Sequence, residues 1–306
     1  MIDMAAIVSA LEYFGYIFIF PGFLFCVLSG LLLAGIGGRI AARLQKKEVP
    51  SVFRAFYDLY GLRSRETLIP AAASKTVFLM APIIELTSLV VLQLFIPVYG
   101  WCAFPGVADV LVVFYLLLIP AAAELTATAA SGAPDAGEKP NCAFKKLISS
   151  KLPLALVILT VGKAAGGSFS LSQITGCQLE NGSFLFNPAL IPAAAAFLLL
   201  LVGETKSWEP MPENGGVPFE VRKLSGSIKL LTMSSLFAAL FLGGVGTGLV
   251  VLDALIPVCI GAVVTVFTTF IKNVSPSVGA ERAGRYDRLV PTCLALISLL
   301  LVWLEL

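Results

Sequence analysis

The sequence predicts an all-α polytopic membrane protein with about eight transmembrane helices, forming a single transmembrane domain over residues 1–306. Three observations support this. Charged residues make up 13% of the chain and hydrophobic residues 58%, whereas a soluble domain carries about 25% charged residues. Apolar stretches of bilayer-spanning length recur along the whole chain, and the mean hydropathy is +0.93. The basic residues fall on alternate connections, as a chain that repeatedly crosses a membrane requires.

The first span, about residues 12–36, follows "MIDMAAIVSAL". It reads as a spanning helix rather than a signal peptide, because Asp3 and Glu12 stand where a basic region would, and the apolar run is too long. The second and third spans cover about 76–98 and 107–130, and the fourth about 147–166. The fifth, about 187–203, is short, with Pro192 in its first turns. The sixth and seventh cover about 228–246 and 249–271, joined by "GGVGTG", and the eighth covers about 288–305. That glycine run has neither the preceding strand nor the following acidic residue of a dinucleotide loop, so it reads as a turn between helices.

Of the 21 lysines and arginines, 20 fall in or beside four connections, about 37–75, 131–146, 204–227 and 272–287. The positive-inside rule places those connections in the cytoplasm and both termini outside, in a cell inner (cytoplasmic) membrane. The remaining one, Lys163, lies near the outer end of the fourth span, where its stem can snorkel. In the first connection, Phe53, Phe56, Tyr57 and Tyr60 recur at i, i+3, i+4 and i+7, with Ser51 at the N-cap position and Gly61 to end the helix. Arg54 and Asp58 share another face. Such a helix either lies among lipid headgroups or floors a cavity for an amphipathic ligand such as a quinone.

Two carboxylates fall inside spans, Glu85 about nine residues into the second and Glu124 six or seven from the inner end of the third. A charge near a helix centre costs about 2.5–3.5 kcal/mol on insertion scales, so such groups face a partner, interior water or an ion pathway. Both are candidates for a proton relay. Asp109 and Asp253 lie near outer helix ends and read as solvated.

The chain has no histidine, and its six cysteines show no C-x-x-C spacing. That removes the usual haem ligand and any spelled-out zinc or iron–sulfur site, so a redox role would need its centres in other chains. No nucleic-acid partner is expected; the lipid bilayer is.

Four segments, in order, resemble a known family: the membrane subunit 1 family of respiratory complex I (NADH–quinone oxidoreductase), with its relatives in energy-converting [NiFe] hydrogenases. They are "RIAARLQKKEVPSVFRAFYDLYGLRSRETLIPA", "SKTVFLMAPIIELTSLVVLQLFIPVYGW", "GGSFSLSQI" and "ERAGRYDRLV". The chain departs from that family in three places. Val49-Pro50 stands for the usual Gly-Pro, the acid-rich third loop is reduced to "GETKSWEPMPENGGVPFEVRKLSG", and the glutamate expected early in the fourth span is replaced near Pro153. These departures favour a divergent hydrogenase-type or other respiratory-complex relative over a conventional quinone-reducing subunit.

The resemblance implies a membrane-arm subunit that fastens a soluble arm to antiporter-like membrane subunits and couples redox chemistry to proton or sodium translocation. The arm would comprise an iron–sulfur small subunit and a large catalytic subunit, with iron–sulfur clusters and nickel–iron held there rather than here, and quinone at the junction. Glu204, Glu209, Glu213 and Glu220 then join Glu85 and Glu124 as counterparts of the family's proton-pathway carboxylates. Arg39, Arg43, Arg54, Asp58, Arg63, Arg65, Glu66, Arg282, Arg285, Tyr286, Asp287 and Arg288 form the docking face, where a basic surface meets an acidic partner. Phe53, Phe56, Tyr57 and Tyr60 would line the quinone cavity. The rival reading is a stand-alone proton-coupled secondary transporter, which commonly carries two related halves; the sequence shows no convincing internal repeat.

Overall fold

The computed structural model describes residues 13–61, 69, 73–97, 103–104, 106–130, 138–206, 217–243, 250–274 and 280–304; side chains at 138–143, 146, 205–206, 250–254, 257, 272, 274 and 280–288 lie outside the description. Among the described residues the fold is helical. A short helix α1 (13–18) leads to α2 (Phe23–Leu44), α3 (Arg54–Tyr60), α4 (Lys75–Phe95), α5 (Val110–Ala130), α6 (Glu138–Ala164) and α7 (Leu171–Asn181). After a single 3₁₀ turn, Phe184–Phe186, follow α8 (Ile191–Lys206), α9 (Val217–Phe237), α10 (Val250–Val274) and α11 (Ala280–Trp303). Five helical stretches are long and apolar enough to cross a membrane, beginning at Tyr13, Lys75, Val110, Leu147 and Val217; shorter apolar helices span Ile191–Glu204, Val258–Ile271 and Leu289–Trp303. The chain is a polytopic helical membrane protein.

The helices extend further into the basic connections than hydropathy suggests. Residues 37–44, 138–146, 204–206, 217–227, 272–274 and 280–287 are helical rather than loop. Charged residues are good helix formers, so a helix continues past the point where the sequence stops being apolar. The first span, by contrast, is interrupted. Pro21 offers no backbone donor, and the chain breaks at 19–22 between α1 and α2. The segment after the fourth span carries α7, which its polar composition concealed.

α9 is the central post. Its apolar core window is wholly buried, and α2, α4, α8 and α10 pack around it. Its sequence, "VPFEVRKLSGSIKLLTMSSLF", is rich in small hydroxyls. Small residues let helix backbones approach closely in a membrane, and a β-carbon on Gly30 of α2 would lie 3.2 Å from the Ser227 and Ile228 backbone. The buried hydroxyls are satisfied within α9: Ser225, Thr232 and Ser234 donate to the carbonyls of Val221, Ile228 and Leu230 at 2.9, 2.8 and 2.8 Å. The last turn, Ala238–Leu242, widens into a π-helix and stops at Gly243, whose φ of 69° suits glycine. Residues 244–249 of the glycine turn lie outside the described residues.

At the end of the bundle away from the basic connections, the starts of α5 and α7 are joined. The Val110 N–H donates to the Phe169 carbonyl at 2.9 Å and the Leu171 N–H to the Ala108 carbonyl at 3.0 Å. Half-buried Asp109 caps α5, accepting from the Leu111 N–H at 2.9 Å. It is a structural cap rather than a merely solvated carboxylate.

The first connection folds back on α2, and a β-carbon on Gly35 would meet the Val52 carbonyl oxygen at 1.9 Å. Gly35→Ala is therefore expected to destabilise the protein by about 1–3 kcal/mol, as overpacking does. Gly38→Ala, where a β-carbon meets nothing within 4 Å, should leave it unharmed. Thermal unfolding of the two variants in detergent checks this.

Candidate functional site

α8, described over Ile191–Lys206, runs beside α9 at Lys229, about 18 Å along that helix from Val217. Buried Glu204 forms a close ion pair there with the Lys229 ammonium. From α6, Lys151 Nζ approaches the other carboxylate oxygen of Glu204 at 3.5 Å. Lys151 is 6% exposed and Lys229 2%, so two lysine side chains and one carboxylate are sealed between three helices.

A second pair lies nearer the basic end. Arg222 Nη2 of α9 is 3.8 Å from Glu124 Oε1 of α5, both largely shielded. Arg222 and Lys229 are seven residues apart, which puts them on one face of α9. Glu85 of α4, 6% exposed, lies within electrostatic reach of Arg222, Glu124, Lys229 and Glu204. Pro82 stands one turn before it and removes one helical hydrogen bond there. Glu220, in the first turn of α9, is buried as well. The result is a chain of alternating charge across five helices, from Glu124–Arg222 past Glu85 to Lys229–Glu204–Lys151.

Of the expected pathway carboxylates, Glu85, Glu124 and Glu204 are brought together and Glu220 is buried near them; Glu209 and Glu213 lie outside the described residues. The basic members were missed. Lys151, Arg222 and Lys229 were counted with the loop cations, but Lys151 and Lys229 are core residues and Arg222 is largely shielded. The seven-residue spacing of Arg222 and Lys229 within an otherwise apolar and hydroxyl-bearing segment was the available signal.

The docking residues divide differently. Arg39 and Arg43, in the last two turns of α2, and Arg54 of α3 are exposed. Asp58 instead binds its own chain, accepting from Lys223 Nζ of α9 at 3.0 Å. Arg63, Arg65 and Glu66 lie outside the described residues. Arg282, Arg285, Tyr286, Asp287 and Arg288 occupy the first turns of α11, a helix rather than the expected loop.

α3 begins at Arg54, whose N–H donates to the Ser51 carbonyl at 3.1 Å, and Phe53 holds the N-cap position in place of Ser51. Gly61 ends it at a helical φ of −64°. The aromatic face does not act as a unit: Phe56, with Ala55 and Leu59, packs on the core, while Phe53, Tyr57 and Tyr60 are 58%, 71% and 84% exposed. Ala55, Phe56 and Leu59 turn towards the core, and the Asp58–Lys223 pair ties α3 to α9. Lys163 places its ammonium 5.6 Å from the Trp303 ring centroid of α11, a cation–π contact at the far end of the bundle.

Removing one partner from a buried ion pair costs about 3–5 kcal/mol, because the other charge is stranded. Lys229→Met is expected to destabilise by that amount. The Lys229→Met, Glu204→Gln double variant should lose less than the two single losses added together. Chemical unfolding in detergent reads both.

A family model described as NADH dehydrogenase matches residues 17–304. The chain is 27% identical over 277 residues to the NADH-quinone oxidoreductase H subunit of Chelativorans sp. (strain BNC1), covering 76% of this chain and 79% of that one. It is 25% identical over 225 residues to hydrogenase-4 component C of Escherichia coli (strain K12), covering 69% and 70%. Its fold is similar to a chain from the structure of the membrane-bound sulfane sulfur reductase (MBS), an archaeal respiratory membrane complex. The TM-score is 0.81 at 21% identity, covering 91% of this chain and 96% of that one. With 17–304 of its 306 residues matched, the chain belongs to the NADH dehydrogenase family of membrane proteins.

Proposed function

We propose that this chain is a membrane-arm subunit of a multi-subunit oxidoreductase of the complex I or energy-converting hydrogenase type. In this reading it anchors a soluble iron–sulfur arm and couples the arm's redox chemistry to ion translocation. One observation carries the coupling role: Lys151, Glu204 and Lys229 are buried together in the centre of the bundle. Burying ionised groups costs several kcal/mol each, and intramembrane charges mark ion pathways. A purely structural anchor would gain more from apolar packing at the same positions.

The steps follow from the geometry. A change in charge or contact at the basic end acts first on the Glu124–Arg222 pair, the part of the chain of charges closest to that end. Moving Arg222 alters the field at Glu85, and Glu85 in turn biases whether Glu204 leans on Lys229 or on Lys151. The exposed arginines Arg39, Arg43 and Arg54, with the tyrosines Tyr57 and Tyr60, supply a cationic aromatic surface for the partner arm at that end. Tyrosine and arginine are favoured in the buried centres of protein interfaces. The partners in this reading are an iron–sulfur small subunit, a large catalytic subunit and antiporter-like membrane subunits. The basic end faces the cytoplasm of a cell inner membrane and both termini lie outside.

Glu204→Gln, Glu85→Gln and Glu124→Gln in the assembled complex are expected to lower ion translocation per electron, with Glu204→Gln the most damaging. Asp58→Asn, which breaks a pair about 40% exposed, should leave coupling intact and cost less than about 1 kcal/mol of stability. Translocation and electron transfer measured together in proteoliposomes decide it; unaltered coupling in all three glutamate variants would reduce the chain to an anchor.

A further inference from the structure

The chain of charges stops at Lys229 and Lys151, but the polar lining of α9 continues towards the opposite end of the bundle. Lys229, Thr232, Ser235 and the π-helical turn from Ala238 succeed one another at three- or four-residue intervals. Residues so spaced are neighbours on a helix surface. Each of these side chains is buried.

Two glutamines from other helices close on this line. Gln93 of α4, 0% exposed, donates from Nε2 to Ser235 Oγ at 3.4 Å. Gln178 of α7, 3% exposed, donates from Nε2 to the carbonyls of Ala239 and Leu240, both at 3.1 Å. Ser183 Oγ donates to the next carbonyl, Phe241, at 2.9 Å. The π-helical turn thus turns its carbonyls outward to side chains of the α7 region. Among the described residues, the buried acceptors Gln93 Oε1 and Gln178 Oε1 have no hydrogen-bond partner. Turning the Gln178 amide over would set its oxygen against two carbonyls, so its orphan acceptor is fixed by the structure. Ser235 and Ala239 are one turn apart, and the two orphan acceptors therefore attend successive turns of one helix, about 6 Å apart along its axis.

A buried polar atom without a partner is rare in folded proteins, and internal water is the usual remedy, each molecule making about three hydrogen bonds. We propose that the seam between α4, α7 and α9 holds internal waters on Gln93 Oε1 and Gln178 Oε1, forming a proton-conducting path from Lys229 to the end of the bundle opposite the basic connections. The inference rests on the proposed coupling role of the buried charges and gives that role an exit. A proton that reaches the Glu204–Lys229 pair is passed on to the first water, so that the pair ends as it began. The excess proton moves along the waters by exchange of hydrogen bonds, while the Lys229 ammonium stays paired with Glu204.

The test uses the assembled complex. Gln93→Leu and Gln178→Leu keep the approximate side-chain size and remove the amide. Each is expected to lower proton translocation about tenfold, the effect of roughly 1.4 kcal/mol on the barrier, while assembly is retained. In the unaltered complex, a map resolving internal water should show density within hydrogen-bonding distance of both amide oxygens. A dry seam in that map overturns the proposal, whatever the variants do. So do leucine variants that assemble and translocate normally. Loss of translocation in Glu204→Gln with full translocation in both leucine variants sinks the exit alone; normal translocation in Glu204→Gln, Glu85→Gln and Glu124→Gln alike sinks the coupling role beneath it.

Discussion

The structure depends on holding the Lys229 ammonium against Glu204 where water does not reach. An unpaired charge there would cost far more than most single contacts contribute, so α6, α8 and α9 must keep their mutual register. Lys151 and Lys229 share one carboxylate, so the position of α8 between the other two helices is fixed by charge as well as by packing. The apolar contacts among Phe197, Phe237 and Phe241, with ring centroids 5.2–6.2 Å apart, hold the same pair of helices together further along. Charge sets the register, and aromatic packing stabilises it.

The two ends of α9 have opposite chemistry. Towards the basic connections it carries Glu220, Arg222, Lys223 and Lys229, each directed at a group on another helix or buried among them. Towards the other end it carries hydroxyls and a π-helical turn whose carbonyls are taken up by Gln178 and Ser183. Between those polar groups α9 supplies large apolar side chains of its own to the core, among them Ile228, Leu231, Leu236 and Phe237. Its neighbours meet them with Leu31 and Leu33 from α2, Leu89 and Leu92 from α4, and Phe197 and Leu200 from α8.

Much of the fold was legible in the sequence because bilayer thickness imposes a length on each apolar run, and the eight spans match eight helices of the structure in order. Where that length rule has no purchase, the reading failed. Helix ends built from lysine, arginine and glutamate read as loop, although those residues extend α6, α9 and α11. α7 was hidden because "LSQITGCQLEN" is neither apolar enough to span nor strongly periodic. At the site, isolated carboxylates such as Glu85 stood out against apolar neighbours. Lys151 and Lys229 did not, because a lysine close to a span end is ordinarily a cytoplasmic residue. Only the fold shows that Glu204 of α8 meets them inside the bundle. The aromatic repeat of α3 lies on a helix, but its packing face is Ala55, Phe56 and Leu59, while Phe53, Tyr57 and Tyr60 are exposed.

The register of α8 between Ile191 and Glu204 fixes where its carboxylate meets α6 and α9. Adding one residue between Ile191 and Glu204 would advance the carboxylate by about 1.5 Å and rotate it by about 100°, aiming it away from both lysines. Conservative replacements along that helix alter only local fit, whereas an insertion or deletion would misalign every later charge in the series. Segments of this kind accept changes of letter and resist changes of count, so variation among relatives should appear there as substitution, with gaps confined to the connections on either side.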